Sequence, residues 1–451
     1  MNYDRFIADK AQLHSNDGFS PNLMPAFLYD FQAALVEWAL RKGRGAIFAD
    51  CGTGKTPMQL VWADNVRRHT GKPVLILTPL AVSPQTVQEA QKFGIDCQAS
   101  RTDKVHPWIT VTNYERLHYF NRNDFGGVVL DEASAIKHFT GARQKAITQF
   151  MAQMPYRLLC TATAAPNDYV ELGTSAEALG HLGYMDMLGR FFVNEEKTLH
   201  RTWGIHLNWR FKRHAELQFW RWVSSWARAM RKPSDLGFDD SRFILPSLNV
   251  AETVVGTDYI PEGELFHFPA KTLDEQRAER RATINERCER VSEMVAHNST
   301  AVVWCHLNAE ADLLVSLIPG AEQVKGSDED DDKEARLTAF SRGDLRVLVT
   351  KPKIGAFGLN WQHCAHMTMF PSHSYEQYYQ AIRRCWRYGQ TRPVQVDIVS
   401  SEGESGVVNN MKRKEGQADK MFTVLVAEMG NAKQIDRSVP FTTAAEVPTW
   451  L

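Results

Sequence analysis

The sequence predicts an α/β protein of two parallel-sheet domains with a helical insertion between them. Two observations carry that expectation. Short apolar runs alternate with helix-patterned stretches in the first half of the chain, and the same alternation returns after a stretch dense in Trp and Arg. A Gly-rich turn and an acidic turn follow two of the runs directly, at the strand ends where open parallel sheets bind ligands.

The runs of the first block are Gly45–Ala49 (GAIFA), Val74–Thr78 (VLILT), Ile109–Thr112 (ITVT), Val128–Leu130 (VVL) and Arg157–Cys160 (RLLC). Uninterrupted apolar runs of this length, with helical segments between several of them, predict strands buried on both faces. From Ala165 to about Ser247 the strand signals fade. The second block holds Ala301–Cys305, Arg346–Thr350, His366–Phe370 and Val394–Val399. Leu273–His297, charged on one side, predicts a long helix entering that block. The expected division is a first domain over 20–165, the helical insertion over 166–247, a second domain over 248–430 and a tail over 431–451.

Bulk properties narrow the class. The 451 residues carry 52 Lys and Arg against 53 Asp and Glu, which argues against a uniformly basic coat and leaves room for a local basic groove. Met1–Lys10 has no apolar core, and the apolar runs are too short to span a membrane. The seven cysteines form no C-x-x-C pair, which fits free thiols in a reducing cytoplasm.

The block Ala49-Asp-Cys-Gly-Thr-Gly-Lys-Thr56 lies between a predicted strand and a predicted helix. Gly52, Thr53 and Gly54 let backbone N–H groups curl around phosphate oxygens, and the following helix turns its positive end to the same anion. Lys55 supplies a charge for the outer phosphates and Thr56 a hydroxyl for Mg²⁺. Ala49 replaces the usual first Gly. The plainer alternative is a tight turn that happens to match. Asp131 and Glu132 follow the run Gly127–Leu130. There Asp131 can join the Mg²⁺ shell, and Glu132 can orient and activate a water. The alternative is a solvated acidic turn. Together the two sites predict Mg²⁺-assisted hydrolysis of a nucleoside triphosphate, with ATP the expected cofactor. Arg384 and Arg387 are three residues apart in Gln380–Gln390, on one face if that stretch is helical, and could meet charge built on a transferring phosphoryl group. Taken alone, they would read as a basic solvent face.

The order of these elements resembles superfamily 2 helicases and translocases, and among them the Swi/Snf-type ATPases. Leu28-Tyr-Asp-Phe-Gln32 resembles the adenine-recognising motif, with Gln32 its key side chain. Ala49–Thr56 and Asp131–Ser134 resemble motifs I and II, Leu75–Gln85 motif Ia, and Thr161-Ala-Thr163 motif III. Ala301–Asn308 resembles motif IV, and Gly355-x-x-Gly358-Leu-Asn360 resembles motif V. Gln380–Gln390 is similar to the Swi/Snf form of motif VI, Q-A-x-x-R-x-x-R-x-G-Q. The resemblance runs from Leu28 to about Val399. It implies two RecA-like domains with ATP between them, Gly358 at the nucleotide, and Arg384 and Arg387 reaching across from the second domain. Ser134 departs from the His of many relatives. The chain looks like a compact motor of bacterial or viral type, expected to act as a monomer.

The resemblance implies DNA as partner, double-stranded in the first place, with forked or branched DNA as alternatives. It points to Thr78, Pro79, Thr112, Asn113, Thr350 and Lys351 as the phosphate track. The stretch Lys197–Lys232 is basic and aromatic, and Arg210, Lys212 and Arg213 are its candidate DNA contacts. Phe219, Trp222 and Trp226 fall at helical spacing and fit a core better than a base stack. A duplex-tracking translocase is the leading expectation. A strand-separating helicase is the alternative, and an RNA helicase is disfavoured by the form of motifs II and VI.

Overall fold

The computed structural model describes residues 17–79, 82–194, 209–256, 272–355 and 360–436. The first unit carries a seven-stranded sheet in the order β3-β4-β2-β5-β6-β1-β9, with every pairing parallel. Its strands are β1 (Arg44–Ala49), β2 (Val74–Thr78), β3 (Cys97–Ala99), β4 (Ile109–Asn113), β5 (Gly127–Asp131), β6 (Tyr156–Thr161) and β9 (Ala227–Met230). The five predicted strands of this block lie within one residue of their expected bounds. They are legible because both faces are covered, so β2, β4 and β5 are buried at every position. Helix α1 (Asp30–Lys42) precedes β1, and α2 (Lys55–Thr70) and α3 (Ser83–Lys92) follow β1 and β2. Helix α4 (Ala142–Met151) leads into β6.

The region expected to stand apart over 166–247 is mostly built into this unit. Helices α5 (Leu172–Leu179), α6 (Tyr184–Phe191) and α7 (Glu216–Trp226) cover one face of the sheet, and β9 extends its edge beside β1. Phe219, Trp220, Trp222 and Trp226 are buried in the same apolar cluster as Phe48, Leu77 and Leu130. A short antiparallel pair, β7 (Phe192–Asn194) with β8 (Trp209–Phe211), lies beside it, with Phe192 in the same cluster and Trp209 and Phe211 packed against it. The reason is apolar area: each Trp removes roughly 200 Å² from water, more than an exposed protrusion could shelter.

The second unit has six parallel strands in the order β10-β15-β14-β11-β13-β12. They are β10 (Leu248–Val255), β11 (Ala301–Trp304), β12 (Ala321–Val324), β13 (Val347–Thr350), β14 (His366–Met369) and β15 (Val394–Ser401). Apolar clusters lie on both faces. The expected long helix over 273–297 is two helices, α8 (Leu273–Ala282) and α9 (Ile284–Met294). The break at Thr283 lets Arg287 fold back. Its guanidinium donates to the Thr283 hydroxyl at 3.1 Å and to Glu310 at 2.8 Å, and it also reaches the Arg280 carbonyl. Glu310 sits in helix α10 (Asn308–Leu317) and also accepts the N–H groups of His306 and Leu307. Both Arg287 and Glu310 are fully buried. Replacing Arg287 by Leu leaves the Glu310 carboxylate buried without its cation. The expected loss is about 3–5 kcal/mol of stability, read as a lower denaturation midpoint of the second domain; a loss under about 1 kcal/mol would contradict it.

Helix α11 (Asp330–Arg342) precedes β13, and α12 (Tyr375–Cys385) lies between β14 and β15. The last helix, α13 (Ser405–Asp436), starts in the second unit, where Met411 joins its core. It then crosses to the first, where Met421, Phe422, Leu425 and Met429 enter the cluster around Trp220. Residues 431–436, expected as tail, continue this helix.

Candidate functional site

Strand β1 ends at Ala49, and the next residues form a tight loop closed by α2. Gly52 and Gly54 both have positive φ, 84° and 82°. A Cβ at Gly54 would lie 2.2 Å from Gln32 Nε2 and push that side chain off the loop, and the positive φ strains any other residue there. Lys55 Nζ donates to the carbonyls of Ala49 (3.0 Å) and Asp50 (3.3 Å), and the Thr53 hydroxyl donates to Asp50 O (2.7 Å). The ammonium thus rests on backbone oxygens of the loop it serves. Gln32 is buried and fully engaged: Nε2 donates to Thr53 O at 2.8 Å, and Oε1 accepts the Tyr29 N–H at 3.0 Å. What the geometry gives Gln32 is a grip on the loop.

Asp131 closes β5 and accepts Gln59 Nε2 at 2.7 Å. Burial pushes its carboxyl up, against the opposing pull of Gln59 and Lys55. Glu132 is the one non-glycine among the described residues with positive φ, 56°. That left-handed turn is costly for a residue with a Cβ, and such strain concentrates at functional sites. Its carboxylate accepts the Thr161 hydroxyl at 3.2 Å, and Thr161 Oγ1 in turn accepts the Thr163 N–H at 3.0 Å. Burial raises the Glu132 pKa to about 7; Lys55 opposes the rise, Asp131 and Glu376 add to it, and Arg384 opposes it.

A cleft of about 650 Å³ joins these groups to the second unit. Gly52–Thr56, Asp131 and Glu132 line one side; Arg384, Arg387 and Asn360 line the other. Burial lowers the pKa of Arg384, and burial with Arg384 as neighbour brings Arg387 to about 10. Arg387 also donates to the Asn360 side chain. Gly358 lies outside the described residues. The buried oxygens Gln59 Oε1, Gln380 Oε1 and Thr163 Oγ1 have no hydrogen-bond partner, and their residues surround Asp131 and Glu132. None of these three residues lines the cleft, so the fit to a polar ligand rests on the donors that do. The loop amides and Lys55 fit a phosphate chain. Thr56 and Asp131, both on the cleft, fit a divalent cation of the Mg²⁺ kind, which keeps several waters and needs few protein ligands.

Other cleft residues were not anticipated. Arg242 and Phe243, from the segment joining the two units, lie beside Tyr29 at the far end. Glu89 of α3 also faces the cleft. Only the position of Arg242 and Phe243 between two domain patterns hinted at such a place.

The expected phosphate track is placed differently. Thr78, Thr112 and Thr350 are buried, and each hydroxyl is spent on a carbonyl: Pro79 (3.1 Å), Ser100 (2.9 Å) and Val324 (3.3 Å). Asn113 caps the following turn through the Arg116 N–H at 3.1 Å. Ends of strands buried on both faces turn these hydroxyls inward, where each is bonded within its own domain. Pro79 and Lys351 are partly exposed, and Lys351 donates to Asn308. Arg210, Lys212 and Arg213 are exposed on β8 and the turn after it, and Lys212 donates to the Gly189 carbonyl.

Comparison with known proteins finds likeness over part of the chain. Residues 286–389 match the helicase conserved C-terminal domain. Helicase swr1 of Schizosaccharomyces pombe is 28% identical over 185 residues, which are 36% of this chain and 14% of the relative. The chromatin-remodeling ATPase INO80 of Arabidopsis thaliana is 26% identical over 184 residues, 34% of this chain and 12% of the relative. The matches thus span a small fraction of those proteins. The Sulfolobus solfataricus SWI2/SNF2 ATPase core in complex with dsDNA aligns over 91% of this chain and 98% of its own at a TM-score of 0.43 and 14% identity. Motif VI lies almost wholly inside the matched C-terminal domain and faces the phosphate loop across the cleft, and over the matched segments the chain is similar to Swi/Snf-type members of the superfamily 2 helicases.

Proposed function

We propose that this protein is a DNA-dependent ATPase that hydrolyses Mg²⁺-ATP between its two domains and couples turnover to movement along duplex DNA. The observation that carries this reading is the shared cleft, with Lys55 and Glu132 on one wall and Arg384 and Arg387 on the other. ATP with Mg²⁺ supplies the phosphoanhydride to be cleaved and a divalent charge to screen it. The loop amides and Lys55 bind the outer phosphates, and Thr56 and Asp131 hold the cation. Glu132 orients a water and accepts its proton on a carboxylate oxygen. Arg384 and Arg387 meet the charge that grows on the phosphoryl oxygens.

Duplex tracking is favoured over strand separation by the burial of Trp220, Trp222 and Trp226, which removes them as a wedge. The expected result is ATPase activity stimulated severalfold by double-stranded DNA and weakened as salt rises. Equal rates with and without any nucleic acid would overturn the reading. Stimulation by RNA alone would turn it to an RNA motor. Displacement of a forked duplex, with no displacement of a triplex strand, would turn it to strand separation.

A further inference from the structure

The helix that presents Arg384 to the cleft makes a second attachment outside it. Arg383 is fully buried, although among the described residues of its own domain no carboxylate pairs with it. Its Nη2 instead reaches Asp50 Oδ2 at 2.9 Å and the Cys51 carbonyl at 2.7 Å, both in the phosphate loop of the other domain. Asp50 also accepts the Cys51 N–H at 2.6 Å and the Tyr379 hydroxyl, one turn before Arg383 on α12. Tyr379, Trp386 and Tyr388 ring the guanidinium at 4.8–5.9 Å. Its Nε and Nη1 are buried without hydrogen-bond partners. Burial is the largest influence and works against the charge, but Asp50, Tyr379, Cys51 and Tyr388 together outweigh it, so Arg383 titrates higher than an ordinary guanidinium. A charge buried this thoroughly is costly unless its single partner stays in place.

None of Asp50, Tyr379 and Arg383 lines the cleft. The Asp50 carbonyl, however, holds Lys55 and Thr53, and the next residues, Cys51 and Gly52, do line it. On a helix, neighbouring residues are about 100° apart, so fixing Arg383 against the loop also fixes the direction of Arg384. We propose that Arg383, paired with Asp50 and backed by Tyr379, is a positioning residue that latches the second domain to the phosphate loop before nucleotide binds and so sets where Arg384 and Arg387 stand. The latch rests on the ATPase reading for its purpose, not for its existence. Lys137 and Glu376 form another ion pair across the same seam, but away from the loop.

The test uses the full chain with dyes at the exposed positions Asn123→Cys and Ser316→Cys, one in each domain. The native cysteines are all buried. Energy transfer is read without nucleotide, where no turnover is needed. Arg383→Gln is expected to lower the transfer efficiency, and in ATPase assays to lower kcat about tenfold or more with less than about threefold change in KM, because misplacement acts on orientation. The double variant Asp50→Asn with Arg383→Gln removes both charges and the risk that one stranded charge unfolds the protein. It is expected to melt near the parent and still show the lowered transfer. Parental transfer efficiency in both variants overturns the latch. An inactive parent overturns the ATPase reading instead, while the transfer measurement still decides the latch.

Discussion

Replacing Arg384 by Ala is expected to cut ATP turnover by about 10³–10⁵, the range in which an arginine supplied to a phosphoryl transfer acts. Arg384 is buried and lines the cleft with Lys55 and Glu132. Its Nε donates to the Gln380 carbonyl one turn back at 3.1 Å, which orients the guanidinium along the helix. Burial disfavours its charge. In so dry a place a charge acts on a developing anion far more strongly than in water. The effect should fall on kcat, because the arginine meets charge that exists only as the bond breaks, while ATP affinity, measured by filter binding or fluorescent analogue, should change little. Lys in place of Arg keeps a point charge but loses the planar fork, and should recover only a small part. A loss of less than about tenfold in the Ala variant would remove Arg384 from catalysis.

The second large effect is Glu132→Gln, expected to abolish measurable turnover, a loss of about 10²–10⁴, while ATP stays bound. The amide keeps the size of the side chain and can still accept from Thr161, yet it cannot take a proton. Unchanged turnover would eliminate Glu132 as the base. The parent protein carries a linked signature. The working form is the carboxylate, and burial holds the Glu132 pKa at about 7. The ionised fraction therefore grows as pH rises, from about a tenth at pH 6 to about nine tenths at pH 8. The kcat/KM for ATP should rise over that interval and flatten above it. A profile flat from pH 5 to pH 8 would mean that Glu132 ionises near its ordinary value in the working enzyme.

The phosphate loop, the acidic pair and the arginines were legible in the sequence for a local reason. The loop and the acidic pair are a few residues long and sit at the ends of buried strands whose apolar runs announce them, as Gly45–Ala49 does for the loop, and the arginines are announced by the spacing of residues within Gln380–Gln390. Strand β9 was not legible. Its four residues, Ala-Arg-Ala-Met, continue the helical stretch of α7 without a turn residue and carry no β-branched side chain, so only pairing with β1 makes them a strand. The inward turn of Thr78, Thr112 and Thr350 was hidden because a motif gives the residue and not the direction of its side chain. Arg383 was read past as one of a pair of adjacent arginines. Its partner lies 333 residues earlier, and nothing local to Gln380–Gln390 calls for an acid in the phosphate loop. The break at Thr283 is of the same kind, since the demand comes from Glu310.

The path of α13 has a mechanical consequence. The backbone passes between the two bodies once through the segment after β9 and again along this helix, which is rooted by Met411 in one core and by Met421, Leu425 and Met429 in the other. A single tether would act as a ball joint and allow swivelling in every direction. Here the two crossings run side by side, with Arg231 at the start of the first pairing with Asp419 at 3.8 Å on the second, so they brace each other and leave the domains less free to swivel than one strand of chain would.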